Sequence, residues 1–366
     1  MTEDKTNRIP ELDGIRGLAI LMVVIYHYGY LTIDAKTSVI GAYFRLFLKY
    51  FYTSIDLFFM LSGFLIGGIL IANKGKKNYF KAFYLRRACR ILPLYFFSIL
   101  LVYTICSFGI GAGTDWWFDK NVPVYSYFLF IQNFFIVFHE TFGNRFLAIT
   151  WSLAIEEQFY LILPLLICLL NRKWMIVVLS IGILSAPFLR QNTNNYLESF
   201  LMVYCRFDSL FTGVLLAIAV KNEAFLNFCR LHRQKLWNLL FLLLAITLLF
   251  LFRIMKLGVY NSHIWFLLIW FVLMVVVVTN KDNFFSNCLR SKLFLISGKY
   301  SFGIYIYHQI VIGMLFLLFR GKIPKIEDVN DLFVMMISLV ITFAISYLSF
   351  HYFERKFIAF GHRFKY

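Results

Sequence analysis

An arginine and a histidine stand eleven residues apart in IRGLAILMVVIYHYG, residues 15–29, a stretch otherwise apolar enough to cross a membrane. Ionisable groups cost several kcal/mol in hydrocarbon and are rarely kept there without a use. At ~100° per residue, eleven residues make three turns plus about 20°, so Arg16 and His27 share a helix face roughly 16 Å apart. A histidine titrates near physiological pH and serves as a general base, or bridges helices through hydrogen bonds. An arginine at a helix end binds anions, or anchors the helix at the interface.

Four further stretches carry polar groups inside apolar runs. In YFYTSIDLFFMLSGFLIGGIL, Asp56 should face the bundle interior and have a partner, and Ser62 follows nearer the centre. Arg86, Arg87 and Arg90 occupy roughly one turn of KAFYLRRACRILPLYF. They make a fork-rich site for phosphates, or simply a cluster of topology-setting charge. TWSLAIEEQFYLILPLL holds Glu156 and Glu157. Ser152, Glu156 and Tyr160 share a face by i, i+4 spacing, which directs Glu156 into a polar cavity; Glu157 pairs with a basic neighbour. In SGKYSFGIYIYHQIV, Ser301, Tyr305 and His308 share a face, with packing and chemistry both open to His308.

The elements that must position these groups are membrane helices. Hydrophobic residues make up 61% of the 366-residue chain and charged ones 15%, at a mean hydropathy of +0.74, which places it in the membrane class. Ten apolar stretches are long enough to span, near 15–33, 50–72, 88–108, 150–170, 174–190, 205–221, 236–253, 263–279, 300–319 and 332–353. The first is expected to stay in the mature protein: Glu3 and Asp4 precede it and no small-residue cleavage site comes after it. A stretch at 125–138, in a long loop, is too short to cross and reads as re-entrant or interfacial.

The net charge of +17 is topological. With the N-terminus inside, 23 Lys and Arg fall on inner segments and 12 on outer ones, which makes the chain N-in and C-in and argues against nucleic acid. The six cysteines show no CxxC and no metal-like spacing. The expectation is therefore an all-α polytopic protein of about ten spans, one membrane-embedded domain over 1–366, binding no metal.

These stretches, in this order, resemble the acyltransferase-3 family of bacterial integral-membrane acyltransferases. The matching pieces are Arg16-x10-His27, DLFFMLSGFLI at 56–66, RRACRILPLY at 86–95, WSLAIEEQFY at 151–160, SFGIYIYH at 301–308 and the closing FERKF at 353–357. The resemblance implies a multi-pass protein of the bacterial cytoplasmic (inner) membrane that moves an acyl group, commonly acetyl, from cytosolic acyl-CoA. The hydroxyl acceptor would belong to a surface carbohydrate such as O-antigen, exopolysaccharide or a lipid-linked sugar. It implies that Arg16, Arg86, Arg87 and Arg90 meet the acetyl-CoA donor and that His27 is the general base. Asp56 or Glu156 would orient the imidazole, with an acyl-histidine intermediate as the mechanistic alternative. Ser62, Trp151, Glu157, Tyr305 and His308 are the residues expected around the acceptor. Many relatives carry an extracytoplasmic hydrolase-like domain, expected here to be a separate protein if one is needed. A small hydroxylated metabolite as acceptor, or a proton-coupled flippase of lipid-linked sugars, are the competing functions. Removing both Arg87 and Arg90 is expected to raise the apparent KM for acyl-CoA tenfold or more, a loss of about 1.4 kcal/mol in steady-state kinetics; an unchanged KM would confine them to topology.

Overall fold

The computed structural model describes residues 9–33, 39–108, 119–251, 259–279 and 284–366. Its described residues form helices and the turns between them, with a single isolated backbone bridge, Ile33 to Ile326. Among them, nine helices are long and apolar enough to cross a membrane, or ten if the bent pair Val203–Ala219 and Glu223–Leu231 is one span. The ten apolar stretches of the sequence all fall on them.

Helix α1 (Pro10–Ile25) starts with a proline whose missing N–H costs nothing in the first turn, where Glu11 and Asp13 also suit the helix dipole. It ends in a π-helical turn, Tyr26–Tyr30, which contains His27. After α2 (Val39–Lys49) comes α3 (Ser54–Asn73), then the 29-residue α4 (Tyr79–Ser107). At ~1.5 Å per residue α4 is about 44 Å long, more than a bilayer core needs, so it projects beyond the hydrocarbon.

The segment 125–138 folds as two short helices, α5 (Val124–Phe128) and α6 (Gln132–Phe138), neither long enough to cross. Its polar side chains tie it to the bundle: Gln132 donates to the Thr150 carbonyl (2.9 Å), and Gln158 donates to the Phe130 carbonyl (2.8 Å) and to Asn133 (2.9 Å). Irregular backbone survives beside hydrocarbon only when so satisfied. Residues 109–118 of the same loop lie outside the described residues.

The chain continues through α7 (Trp151–Leu169), α8 (Arg172–Gln191), α9 (Tyr196–Leu201), α10 (Phe207–Ala219), α11 (Glu223–Leu231), α12 (Arg233–Leu251) and α13 (Val259–Thr279). Two short helices, α14 (Phe284–Leu289) and α15 (Lys292–Lys299), lead into α16 (Ser301–Arg320) and α17 (Val329–Ser349). Gly321, at φ +61°, closes α16 in the left-handed conformation that glycine tolerates. Asp328 and Asp331 form a reciprocal cap at the start of α17. A second π-helical turn, Phe350–Glu354, joins α17 to α18 (Arg355–Gly361).

Contacts between loops and helices mark the two ends of the bundle. At one, Lys74 donates to the Leu170 carbonyl (2.6 Å) and Arg86 to the Phe364 carbonyl (2.7 Å). At the other, the Ile326 N–H donates to the Thr32 carbonyl (2.9 Å). Between them α3 and α10 cross at backbone contact. A Cβ built on Gly213 would lie 2.0 Å from the Met60 carbonyl oxygen, and one on Gly63 2.0 Å from that of Leu210. Small residues allow such approach where lipid gives no hydrophobic drive to pair. Gly213→Ala is therefore expected to destabilise the detergent-solubilised protein by about 1–3 kcal/mol in thermal unfolding. Gly68→Ala, whose added carbon would meet only the Ala217 methyl at 4.0 Å, should be neutral, and equal effects would refute the crossing.

Candidate active site: two cavities and a shared wall

Two cavities enter the bundle. The first, about 300 Å³, is lined by Arg16, Arg87, Arg90, Glu156, Ser62 and Tyr160 among others. The second, about 440 Å³, is lined by His27, Tyr26, Tyr52, Trp151, Phe200 and Arg145 among others. Ile55, Ser152 and Tyr305 line both, so one layer of side chains separates them. The second cavity reaches Leu31, Thr32, Ile323 and Pro324, at the Thr32–Ile326 end of the bundle.

In the arginine cavity, the charges acting on Glu156 are Arg87, Arg16 and Arg90. The Tyr160 hydroxyl donates to Glu156 at 3.2 Å and shares a second hydrogen bond with Ser62. Arg87 lies over the Tyr160 ring, 5.3 Å from its centroid. Arg16 pairs with Asp13 one turn earlier (3.0 Å). Arg90 is exposed along the cavity, and Glu354, on the second π-helical turn, acts on its charge. Among the lining residues three guanidiniums stand against one carboxylate, Glu156, and present fork-shaped donors to the chamber. Arg86 is not among its lining: it binds the Phe364 carbonyl and sits 4.9 Å from the Tyr366 ring centroid.

In the histidine cavity, the His27 ring nitrogen Nδ1 is 2.8 Å from the Val23 carbonyl oxygen. A carbonyl only accepts, so Nδ1 carries the hydrogen and Nε2 keeps a lone pair. His308 repeats the arrangement: its Nδ1 donates to the Ile304 carbonyl (3.0 Å), and its Nε2 is buried with no partner among the described residues. The two imidazoles are 4.9 Å apart, edge to face. On the shared wall the Tyr305 hydroxyl donates to the Ile149 carbonyl, so it accepts from Ser152 at 2.9 Å.

Arg16 and His27, three turns apart on one helix, line different cavities. Elsewhere the structure separates residues that the sequence grouped. Glu156 is with the arginines instead of on the histidine side, because it lies one helical turn beyond the wall residue Ser152 on α7. Asp56 is not against His27 either. Its carboxylate accepts from Arg206 (2.9 Å) and Ser209 (3.0 Å), with His263 3.5 Å away. The carbonyl of Val23, and neither carboxylate, orients His27. Trp151 lines the histidine cavity, Ser62 the arginine cavity and Tyr305 both; Glu157 and His308 line neither, and Glu157, expected to pair with a basic neighbour, has a buried Oε1 without a hydrogen-bond partner among the described residues.

The Asp56 partnership draws on residues that the sequence reading passed over. Arg206 also donates to the Phe200 carbonyl (2.9 and 3.1 Å) and covers the Phe200 ring at 4.7 Å, which fixes one wall of the histidine cavity. Arg190 pairs with Asp208 beside it (2.6 Å). A lone intramembrane aspartate predicts a cation of this kind, although sequence alone does not say which.

The model of the acyltransferase-3 family, described as an acyltransferase domain, matches residues 9–351. Among curated proteins, the peptidoglycan O-acetyltransferase OatA of Listeria monocytogenes is 26% identical over 94% of this chain and 55% of its own length. A putative O-acetyltransferase of Staphylococcus aureus is 23% identical over 96% and 58%. The putative peptidoglycan O-acetyltransferase YrhL of Bacillus subtilis is 26% identical over 95% and 54%. The chain thus spans about half the length of the curated relatives it matches. No solved structure matches it.

Removing one partner of a buried ion pair strands the other charge, at about 3–5 kcal/mol. Arg206→Met should therefore lower the unfolding temperature sharply, and adding Asp56→Asn to it should restore part of the loss. A double variant as unstable as the sum of the singles would show the two residues to be uncoupled.

Proposed function

The chain belongs to the acyltransferase-3 family, and on that footing we propose that it is a membrane O-acyltransferase. It would move an acetyl group from acetyl-CoA, bound from the cytosol, to a hydroxyl of a glycan outside the membrane. The observation that carries this reading is the pair of cavities meeting at Ile55, Ser152 and Tyr305, cationic on one side and carrying His27 on the other. Two of the relatives have peptidoglycan in their names, which makes a cell-wall glycan the acceptor to test first, ahead of O-antigen or exopolysaccharide.

In this reading the arginine cavity faces the cytosol, as the lysine- and arginine-rich loops on its side favour. Arg87, Arg90 and Arg16 take the phosphates of the donor through planar forks. The narrow thioester arm advances to the wall, and the acceptor hydroxyl arrives from the histidine side. The hydroxyl oxygen forms its bond to the acetyl carbon while His27 Nε2 takes the hydroxyl proton. The carbon–sulfur bond breaks, and the proton held on His27 returns to the thiolate, releasing acetyl ester and free CoA. Bonded to Val23, the imidazole enters the reaction in the one tautomer that leaves Nε2 basic. His308 stands behind it, its free Nε2 a neutral acceptor on a ring 4.9 Å from the one that becomes charged.

His27→Ala, inserted and folded, is expected to lose about 10²–10⁴-fold of its rate, the range that a positioned acid–base group supplies. The measurement is transfer of radiolabelled acetyl from acetyl-CoA to cell-wall glycan fragments by purified protein in nanodiscs. Wild-type turnover in the variant would remove His27 from the chemistry, and no transfer by the wild type to any glycan would remove the function.

A further inference from the structure

The loop between α16 and α17 crosses one end of the histidine cavity. Its residues Ile323 and Pro324 line that cavity together with Leu31 and Thr32. The Ile326 N–H donates to the Thr32 carbonyl (2.9 Å), and Ile33 and Ile326 form a parallel backbone bridge. Two stretches far apart in sequence therefore meet across the cavity's end, as a strap meets a rim.

Both feet of the strap are fastened to one carboxylate. Asp331, fully buried at the start of α17, accepts from Arg320 Nε (2.7 Å) and Lys322 Nζ (2.8 Å) on the α16 side. From the other side it accepts the N–H groups of Glu327 (2.9 Å) and Asp328 (3.2 Å). Lys322 also pairs with Glu327 (2.6 Å), and Arg320 with Asp328. Charge-assisted bonds are about twice as strong as neutral ones, so the feet are fixed by strong bonds, whereas the backbone bond from Ile326 to Thr32 joins neutral groups. Pro324 has its φ locked by its ring, which stiffens the short stretch between the feet.

A cavity of about 440 Å³ encloses a piece of ligand the size of a small molecule. A glycan unit placed at His27 has neighbours in its chain that must lie outside, and the strap crosses one end of the space. We propose that residues 322–327 are a gate at this end of the histidine cavity. Residues 323–326 lift from Thr32 while both feet stay on Asp331, and they close again over the bound unit, which keeps water from His27. The inference rests on the acetyl-transfer reading for what passes the gate, yet control of entry is tested without turnover.

The full chain in nanodiscs carries Ala148→Cys, a reporter thiol on the cavity lining. Its modification by a charged thiosulfonate reagent is timed by peptide mass spectrometry. Ile33→Cys with Ile326→Cys, positions paired by the backbone bridge, ties the strap shut as a disulfide; Ile33→Ser with Ile326→Ser is the untied control. Entry scales with the fraction of molecules whose gate is open, so the tied strap is expected to slow modification at least about tenfold against the control. Ile326→Pro, which lacks the N–H that the Thr32 carbonyl receives, should speed it about threefold. An unchanged rate in the tied protein overturns the proposal, and so does acetyl transfer to polymeric glycan that continues undiminished there. If tying changes neither modification nor an observed transfer, the gate fails and the transferase stands. If tying slows modification but the untied protein acetylates no glycan, the transferase reading fails and the gate stands.

Discussion

A charge within an apolar bundle must either be neutralised by a neighbour or kept in contact with water, and the arrangement of this protein reflects how it meets that demand. The first solution appears at Asp56 and Arg206, a buried ion pair in which Ser209 donates to the same carboxylate oxygen as Arg206 and Arg206 also donates to the Phe200 carbonyl. The second appears at Arg87 and Arg90, which face an open chamber instead of a tight ion pair. Charges of the first kind hold cavity walls in place. Charges of the second kind remain available to a ligand, and the two kinds occupy different parts of the bundle.

Much of the fold is legible in the sequence because it is local. Apolar length marks the spans, and the shortness of 125–138 marks a segment that cannot cross. The arginines of RRACR are legible as a cluster because they lie within one turn, yet Arg86 parts from it: one residue from Arg87 is about 100° around the helix, enough to turn it toward the chain's end. What the sequence does not carry is azimuth between helices. Asp56 announces that it needs a partner, but Arg206 is 150 residues away and reads locally as one more interfacial cation. Depth alone places Glu156 one turn from where it belongs.

The π-helical turn at Tyr26–Tyr30 marks where regular periodicity ends in this helix. Counting at ~100° per residue assigns Arg16 and His27 to one face, which is sound as far as Ile25. The wider turn then adds a residue and shifts the later positions around the axis, as π turns at functional positions commonly do. His27 stands near the start of that turn, and its ring reaches back to Val23. The eleven residues between Arg16 and His27, about 16 Å along the axis, are what let one helix serve two chambers.

The thinness of the wall between those chambers bears on bioenergetics. Where the two recesses meet they share the side chains of Ile55, Ser152 and Tyr305, and a membrane potential would be concentrated across a barrier much thinner than the bilayer. At about 2.3 kcal/mol per elementary charge per 100 mV, a proton crossing that layer would dissipate energy with every passage. The Tyr305 hydroxyl is pinned within that layer by its hydrogen bonds to the Ile149 carbonyl and to Ser152. An aperture there that admitted only a neutral, close-fitting group would hold ions back, so electrical tightness and the size of any group passed between the chambers would be a single constraint.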